Sequence, residues 1–388
     1  MSKWGPLAAR YETERPRKML ALDGGGIRGV LTLEIVAEIE RQLKSLLGAG
    51  DSFRLCDFFD YVGGTSTGAI IAAGLARGMS AAELLDFYTS VGPRMFDKEW
   101  ILFRYRNLYK SEPLAAQLKE TFGEDSTLEP HHLRCLLLAV TRNTTTDSPW
   151  PISSNPLAKY NDTARPDCNL KIPLWQLVRA STAAPIFFPP EVVEWEPGNP
   201  DKTFVFVDGG VTPYNNPAFL MFRMATLAPY RLCWKTGERN LMLVSVGTGA
   251  APGGEEDVLS PGKNALSNLA GLPSALMYGS LVDQDINCRT VGRCVQGAQI
   301  DREIGDLIPR DSSGNVIPLS QDLSRAFLYA RYNAELTAQG LGRLGLSDVE
   351  PKRVQSLDSV EAIDDLRRVG RQVAREVRMR EFEPFLKP

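Results

Sequence analysis

The stretch FFDYVGGTSTGAIIAAGLA, residues 58–76, decides the fold class. Its beginning, Phe58 to Val62, has the length and apolar character of a short buried strand. Its end, Ala69 to Ala76, consists of small apolar residues and predicts a helix that packs closely against a sheet. The glycine-rich segment between them predicts a sharp turn from strand to helix, with Ser66 at its centre.

The same alternation of strand and helix continues on both sides of this stretch. A strand is predicted at Lys18 to Leu22, and the apolar face of Val30 to Leu47 predicts an amphipathic helix after it. This alternation predicts an α/β fold, in which helices flank both faces of a mostly parallel central sheet. The downstream elements are predicted strands at Leu133 to Thr141, Phe204 to Val207 and Leu241 to Val246, a helix at Leu174 to Ala180, and a long loop or small excursion at Asn143 to Arg165.

Composition divides the chain into three parts. Residues 1–17 are a polar N-terminal lead-in, and residues 18–255 hold the alternation of strands and helices. Residues 256–388 are predicted to form a mostly helical C-terminal extension that serves as a cap or regulatory part. That prediction depends on polar helical patterns at Leu323 to Gln339 and Val360 to Arg380.

Charge and residue usage exclude several classes of protein. The 388 residues include 44 basic and 47 acidic side chains, so bulk charge gives no support for nucleic-acid binding. No apolar stretch approaches the roughly 20 residues that span a bilayer, and the N-terminus lacks the apolar core of a secretory signal, so we expect a cytoplasmic protein. Six scattered cysteines without CxxC spacing indicate reduced thiols. His131 and His132 are the only histidines and are interpreted as a solvated turn, so no metal or cofactor is expected.

Residues Gly64 to Gly68 match the pattern G-x-S-x-G. A nucleophilic serine at a strand-to-helix turn needs glycine on both sides, because the backbone there is crowded, and Gly64 and Gly68 meet that need. The N-terminus of the following helix favours developing negative charge. The alternative interpretation is a glycine-rich turn that carries a solvated serine.

A second glycine cluster, DGGGIRG, covers Asp23 to Gly29. Its consecutive backbone amides can hold an oxyanion if the loop lies beside Ser66, and Arg28 would add charge or brace the loop. The same residues fit G-x-G-x-x-G, which leaves a dinucleotide-binding interpretation open. That alternative needs an acidic residue at the end of the second strand, whereas Asp51 lies in a polar linker.

A third motif, Asp208-Gly209-Gly210, follows a predicted strand. Because the carboxyl ends of parallel strands meet at one edge of a sheet, Asp208 and Ser66 are expected to lie close together. Both histidines precede Asp208, so the chain order serine, acid, histidine of α/β-hydrolases is impossible with this acid. Either a carboxylate is the base, or the protein is not a serine hydrolase.

These three motifs, in this order, resemble those of the patatin-like phospholipases. The segment ASTAAPIFFPP (Ala180 to Pro190) and Asn215-Asn216-Pro217 are also similar to that family, and the resemblance covers about Met19 to Ala250. It implies hydrolysis of lipid acyl esters by a dyad without histidine. It assigns Ser66 as nucleophile and Asp208 as base, and it assigns the oxyanion hole to the amides of Gly24, Gly25 and Gly26 with Arg28 beside them.

A carboxylate with a pKa near 4 is a poor base for an alcohol, but burial under an acyl pocket would raise that pKa. Phe187 and Phe188 are candidates to line such a pocket, or they are ordinary core residues.

The segment Trp100 to Arg106 mixes aromatic and basic residues, which suits contact with a membrane surface or a partly buried element. The expected substrate is a membrane phospholipid.

Regulation and two alternative functions stay open at this point. Some bacterial patatin-like enzymes of similar size are switched on by cyclic nucleotides in anti-phage defence, and the resemblance makes that role a hypothesis here. The alternatives are a non-catalytic lipid- or nucleotide-binding protein on the same fold, and a dinucleotide-dependent oxidoreductase.

Overall fold

The computed structural model of the chain describes residues 2–95, 113–185, 188–196, 198–251 and 265–386. Their strands form one sheet in the order β5-β6-β3-β2-β1-β7-β9-β8, with β4 paired to β3. The pairs that involve β1, β2, β7, β8 and β9 are parallel, whereas β4, β5 and β6 pair in antiparallel fashion. The strands are β1 (Arg17–Leu22), β2 (Tyr61–Thr65), β3 (Leu136–Asn143), β4 (Ser148–Ser153), β5 (Glu191–Glu194), β6 (Thr203–Asp208), β7 (Leu241–Val246), β8 (Arg293–Gln296) and β9 (Leu328–Tyr332).

Helices cover both faces of this sheet. Alternate residues of a strand point to opposite faces; accordingly Leu20 and Leu22 lie in the core beneath α2 and α4, and Met19 and Ala21 lie in the core beneath α8. None of the described helices is long and apolar enough to span a bilayer. The helices are α1 (Ala8–Tyr11), α2 (Gly29–Leu46), α3 (Leu55–Phe58), α4 (Thr67–Arg77), α5 (Ala81–Met95), α6 (Pro113–Phe122), α7 (Leu174–Ser181), α8 (Ala218–Thr226), α9 (Ala265–Val291), α10 (Ala338–Arg343), α11 (Pro351–Gln355), α12 (Ile363–Ala374) and α13 (Glu383–Leu386).

Strands β2 and β6 meet end to end along one side of β3. Residues Leu136 to Val140 of β3 pair with β2, and the next three residues pair with β6, while β4 occupies the opposite side of β3. Because β6 is antiparallel to β3, its carboxyl end at Asp208 points toward the carboxyl end of β2 at Thr65. The expectation that Asp208 would arrive on a parallel strand is therefore wrong, although the strand itself was correctly placed.

Three of the local sequence predictions also differ from the structure. The strand expected at Phe58 to Val62 starts only at Tyr61, because Leu55–Phe58 forms α3. The loop predicted at residues 143–165 contains β4, whose Pro149 and Pro151 are tolerated because β4 pairs with β3 alone and is an edge strand. The helix predicted at residues 323–339 is instead β9, whose five residues are all buried.

The predicted division of the chain at residue 255 does not coincide with a boundary of the sheet. β9 pairs in parallel with β7 along its whole length, and β8 pairs with β9. Residues that follow position 255 therefore supply the strands on one side of the central sheet, and α9 to α13 supply the helical part.

The N-terminal lead-in is packed onto the sheet through one buried carboxylate. Asp60 has no exposed side-chain surface, and its Oδ1 accepts a hydrogen bond of 2.9 Å from Arg10 Nε. Arg15 also forms an ion pair with Asp60, and the backbone amide of Lys18 donates to Asp60 Oδ2 at 3.0 Å. The residues before β1 are thus tied to the turn that leads into β2.

Replacement of Asp60 by alanine is expected to lower the free energy of unfolding by about 3 kcal/mol, because it removes a buried carboxylate that pairs with the half-buried guanidinium groups of Arg10 and Arg15. Urea denaturation measures the loss. Glu124→Ala removes an exposed carboxylate paired with Lys119 and serves as the control, with no measurable change expected. Equal stability of Asp60→Ala and wild type would contradict this account of the N-terminal segment.

Candidate active site

Ser66 lies at a strained turn between β2 and α4. Its backbone has φ of 53° and ψ of −123°, a region that residues other than glycine rarely adopt. A Cβ atom on Gly64 would lie 2.0 Å from the carbonyl oxygen of Gly68, and one on Gly68 would lie 2.2 Å from the carbonyl oxygen of Leu22. Both glycines of the G-x-S-x-G pattern are therefore required by close packing of the backbone.

The hydroxyl of Ser66 is hydrogen-bonded to the carboxyl group of Asp208. The distance from Ser66 Oγ to Asp208 Oδ2 is 2.5 Å, and Asp208 Oδ1 accepts a hydrogen bond of 2.6 Å from the amide of Gly210. Asp208 is 4% exposed. Burial raises the pKa of Asp208 to about 6, and the hydrogen bonds from Ser66 and Gly210 oppose this rise. A base with such a pKa is better matched to neutral pH than an ordinary aspartate.

The glycine loop after β1 lies directly beside Ser66. A Cβ atom on Gly24 would lie 3.2 Å from Ser66 Cβ. The amide of Gly24 donates to the carbonyl oxygen of Asn215 at 3.0 Å, so it is already engaged. The amides of Gly25 and Gly26 donate to no acceptor among the described residues. The open donors of this loop are therefore Gly25 and Gly26.

Arg28 braces the glycine loop. Its Nε and Nη1 face the carbonyl oxygens of Gly25 and Gln355, each at 3.4 Å. Burial lowers the pKa of Arg28 to about 10, which leaves the side chain charged at neutral pH. The predicted place of Arg28 beside the oxyanion stays a prediction.

Two residues that hold this arrangement were not identified from the sequence. Ser181 Oγ accepts a hydrogen bond of 3.0 Å from the amide of Ser66 and donates to the carbonyl oxygen of Val140 at 2.7 Å. Arg331 of β9 forms a buried ion pair with Asp23, with Nη1 and Oδ1 2.8 Å apart. Ser181 belongs to the segment ASTAAPIFFPP, which offered a signal, whereas nothing near Arg331 in the sequence marks it.

Glu129, His131 and His132 bring side-chain ligand atoms within 4.8 Å of one another, the one such group among the described residues. His132 Nδ1 accepts a hydrogen bond of 2.9 Å from the amide of Thr127. The neutral ring then carries its proton on Nε2, which disfavours metal binding there. The two histidines therefore belong to the segment around Thr127 and Glu129, and they are not among the residues that contact Ser66.

Two sequence predictions fall on residues outside those that the structure describes. They are the membrane-contacting segment Trp100 to Arg106 and the acyl-pocket residue Phe187. Phe188 is buried and belongs to the larger hydrophobic core. The six cysteines are all free, and Cys233 alone among them is exposed.

Comparison with known proteins identifies the family. A family model described as patatin-like phospholipase matches residues 20–222, slightly more than half of the chain. The chain belongs to the patatin-like phospholipase family. It is accordingly a serine acyl hydrolase, as the sequence motifs predicted, and neither the oxidoreductase nor the non-catalytic alternative is retained. Asp51, which the oxidoreductase would need at the end of β2, pairs with Lys44 on the surface.

Three relatives illustrate the range of the family. A protein named cGAMP-activated phospholipase from Vibrio cholerae serotype O1 is 32% identical over 284 residues, which cover 68% of this chain and 73% of the relative. A protein of the same name from Escherichia coli (strain TW11681) is 30% identical, and the match covers 64% of this chain and 65% of the relative. Patatin-T5 from Solanum tuberosum is 30% identical and covers 60% of each chain. This chain therefore spans less than two thirds of the last two proteins.

The predicted role of Asp208 as base implies that activity toward a water-soluble ester rises with pH through an apparent pKa of about 6, because only an ionised carboxylate can accept a proton. The measurement is kcat/KM for p-nitrophenyl butyrate as a function of pH, with circular dichroism at each pH as the control for unfolding. A profile that is flat from about pH 5 to about pH 8 would contradict the role of Asp208.

Asp208→Asn is expected to be more stable than wild type at alkaline pH. The pKa of Asp208 is raised in the folded state, so the wild type binds its proton more tightly when folded and loses stability as pH rises from about 4 to about 6. The asparagine variant lacks this loss, so its advantage should grow to roughly 2–3 kcal/mol over that interval and then stay constant. Urea denaturation at several pH values measures the difference in stability between the variant and the wild type. A difference that shrinks as pH rises would refute the raised pKa of Asp208.

Proposed function

We propose that this protein hydrolyses the fatty-acyl esters of membrane phospholipids, with Ser66 as nucleophile and Asp208 as base. The observation that carries the proposal is the hydrogen bond of 2.5 Å between Ser66 Oγ and Asp208 Oδ2. A serine hydroxyl needs a base within such a distance, and here that base is a buried carboxylate.

Acylation starts when Ser66 Oγ attacks the ester carbonyl carbon and its proton moves to Asp208 Oδ2. Negative charge then develops on the carbonyl oxygen, which accepts hydrogen bonds from the open amides of Gly25 and Gly26. The N-terminus of α4, which begins directly after Ser66, adds favourable electrostatic potential. These donors are set by backbone packing, so little reorganisation accompanies the reaction.

The intermediate collapses when the bond to the leaving alcohol breaks and Asp208 returns its proton to that alcohol. The products of this half-reaction are a lysophospholipid and an acyl group esterified to Ser66. A water molecule then attacks the acyl carbon, Asp208 accepts one of its protons, and the fatty acid leaves as Ser66 regains its hydrogen. In each half-reaction Asp208 thus serves first as base and then as acid.

The choice of phospholipid as substrate rests on the relatives. Two of them are named phospholipases, and the family model carries the same word. The described part of the chain holds no helix that could cross a bilayer. We propose that the protein reaches its substrate by contact with the membrane surface from the cytoplasm.

Release of free fatty acid from mixed phospholipid vesicles tests the proposal. Wild type is expected to release fatty acid, and Ser66→Ala is expected to lose at least about a thousandfold in rate, because the covalent intermediate cannot form. Thermal melting of both proteins confirms equal folding. Equal release by wild type and Ser66→Ala would refute the nucleophile.

We also infer that a cyclic nucleotide controls the activity. Relatives from two bacteria are named cGAMP-activated phospholipases. A cleft beside α9 supports this inference, since Tyr278, Asn333 and Glu335 line it together with apolar side chains, a mixture that suits a nucleobase. Arg331 also lines the cleft and holds Asp23 at the start of the glycine loop. A ligand there would touch the residue that anchors this loop.

Addition of cGAMP is expected to raise fatty-acid release from vesicles by about tenfold. Ser66→Ala should bind cGAMP with unchanged affinity in calorimetry, because the cleft lies apart from the nucleophile. If cGAMP neither binds nor raises activity, control by a cyclic nucleotide is refuted, whereas the proposed hydrolase reaction is unaffected.

A further inference from the structure

The carboxamide of Asn215 is a buried polar group that the mechanism has not used. Asn215 is 3% exposed, and its side-chain oxygen, Oδ1, has no hydrogen-bond partner among the described residues. An acceptor that stays unpartnered in a protein interior costs free energy, so its presence beside a reacting centre calls for a functional account.

Two neighbouring glycines show where this oxygen lies. A Cβ atom built on Gly24 would come within 2.4 Å of Asn215 Oδ1 and within 3.2 Å of Ser66 Cβ. A Cβ atom built on Gly210 would come within 3.1 Å of the same oxygen and within 3.0 Å of Asp208 Oδ1. Asn215 Oδ1 therefore lies beside Gly24 and Gly210, the two glycines that adjoin Ser66 and Asp208.

The orientation of the amide follows from its other contact. Asn215 Nδ2 lies 3.4 Å from the carbonyl oxygen of Gly24, which can only accept hydrogen bonds. A rotated amide would place two acceptors against each other at that position. The unpartnered side-chain atom beside Gly24 and Gly210 is thus the oxygen rather than the nitrogen.

Hydrolysis of the acyl-enzyme sets a requirement that acylation does not. The attacking water carries two O–H bonds, and Asp208 can accept only the one that is broken. The second O–H needs its own acceptor if the water is to be held with a lone pair directed at the acyl carbon. We propose that Asn215 Oδ1 accepts this second O–H and so orients the hydrolytic water.

The atoms balance in this step. The water oxygen bonds to the acyl carbon, one water proton moves to Asp208 Oδ2, and the other stays on oxygen in its hydrogen bond to Asn215. The bond between the acyl carbon and Ser66 Oγ then breaks, and Asp208 returns the proton to Ser66. The fatty acid leaves with the second proton, which it releases to solvent.

This inference rests on the proposed acyl-enzyme mechanism, and it must be separated from a purely structural role of Asn215. Thr248 offers the matched control, since its Oγ1 donates to the same carbonyl oxygen of Gly24 at 2.9 Å. Thr248→Val loosens the glycine loop yet leaves the oxygen of Asn215 in place. If Asn215 only braced the glycine loop, its replacement and Thr248→Val would change the reaction in the same way.

The experiment compares two acceptors of the acyl group, water and methanol. Methanol has a single O–H, which goes to Asp208, so it does not need Asn215. Wild type, Asn215→Ala and Thr248→Val are assayed with a phospholipid in aqueous methanol, and the ratio of methyl ester to free fatty acid is measured by mass spectrometry. Asn215→Ala is expected to shift this ratio about tenfold toward the methyl ester, the effect of one lost hydrogen bond to the water.

Thr248→Val is expected to keep the wild-type ratio, whatever its overall rate. Asn215→Ser replaces the alanine variant if the latter does not fold.

An unchanged ratio in the folded alanine or serine variant, or an equal shift in Thr248→Val, would overturn the role of Asn215. Loss of both products in wild type would instead refute the proposed hydrolase reaction itself. The two failures are therefore distinguishable.

Discussion

The hydrogen bond between Ser66 and Asp208 is the contact on which the rest of the structure depends. It forms because β2 and β6 run toward each other along the same side of β3 and end at the same level. One strand delivers Ser66, the proposed nucleophile, at a strained turn, and the other delivers Asp208, whose pKa is raised by burial. The two side chains are in direct contact, so the proposed mechanism needs no histidine between them.

Close backbone approach is the second constraint on the site. Gly24 packs against Asn215 and Ser66, and Gly68 packs against the carbonyl of Leu22, at distances that leave no room for a side chain. The proposed oxyanion donors are backbone amides of this closely packed loop, so their positions are fixed before substrate binds. Arg331 extends this fixed region to β9, since its ion pair with Asp23 is almost completely buried. The C-terminal residues are thus a structural part of the site.

The sequence predicted the side chains of the site better than the fold that assembles them. Ser66 and Asp208 follow apolar runs and stand within glycine motifs, so local patterns reveal them. The antiparallel direction of β6 leaves no local pattern, because strand direction depends on contacts between distant residues. The residues of β9 were predicted as helix for a related reason. In a short run of residues that is buried on both faces, periodicity does not distinguish a strand from a helix. Arg331 went unnoticed with it.

The most direct test of the central claim is covalent labelling with a lipid-like fluorophosphonate, which forms a bond to an activated serine and releases fluoride. Peptide mass spectrometry of labelled wild type is expected to place the adduct on Ser66. The rate of labelling should follow the ionisation of Asp208 and fall by several orders of magnitude in Asp208→Asn. An adduct on another serine, or equal rates in wild type and Asp208→Asn, would contradict the account.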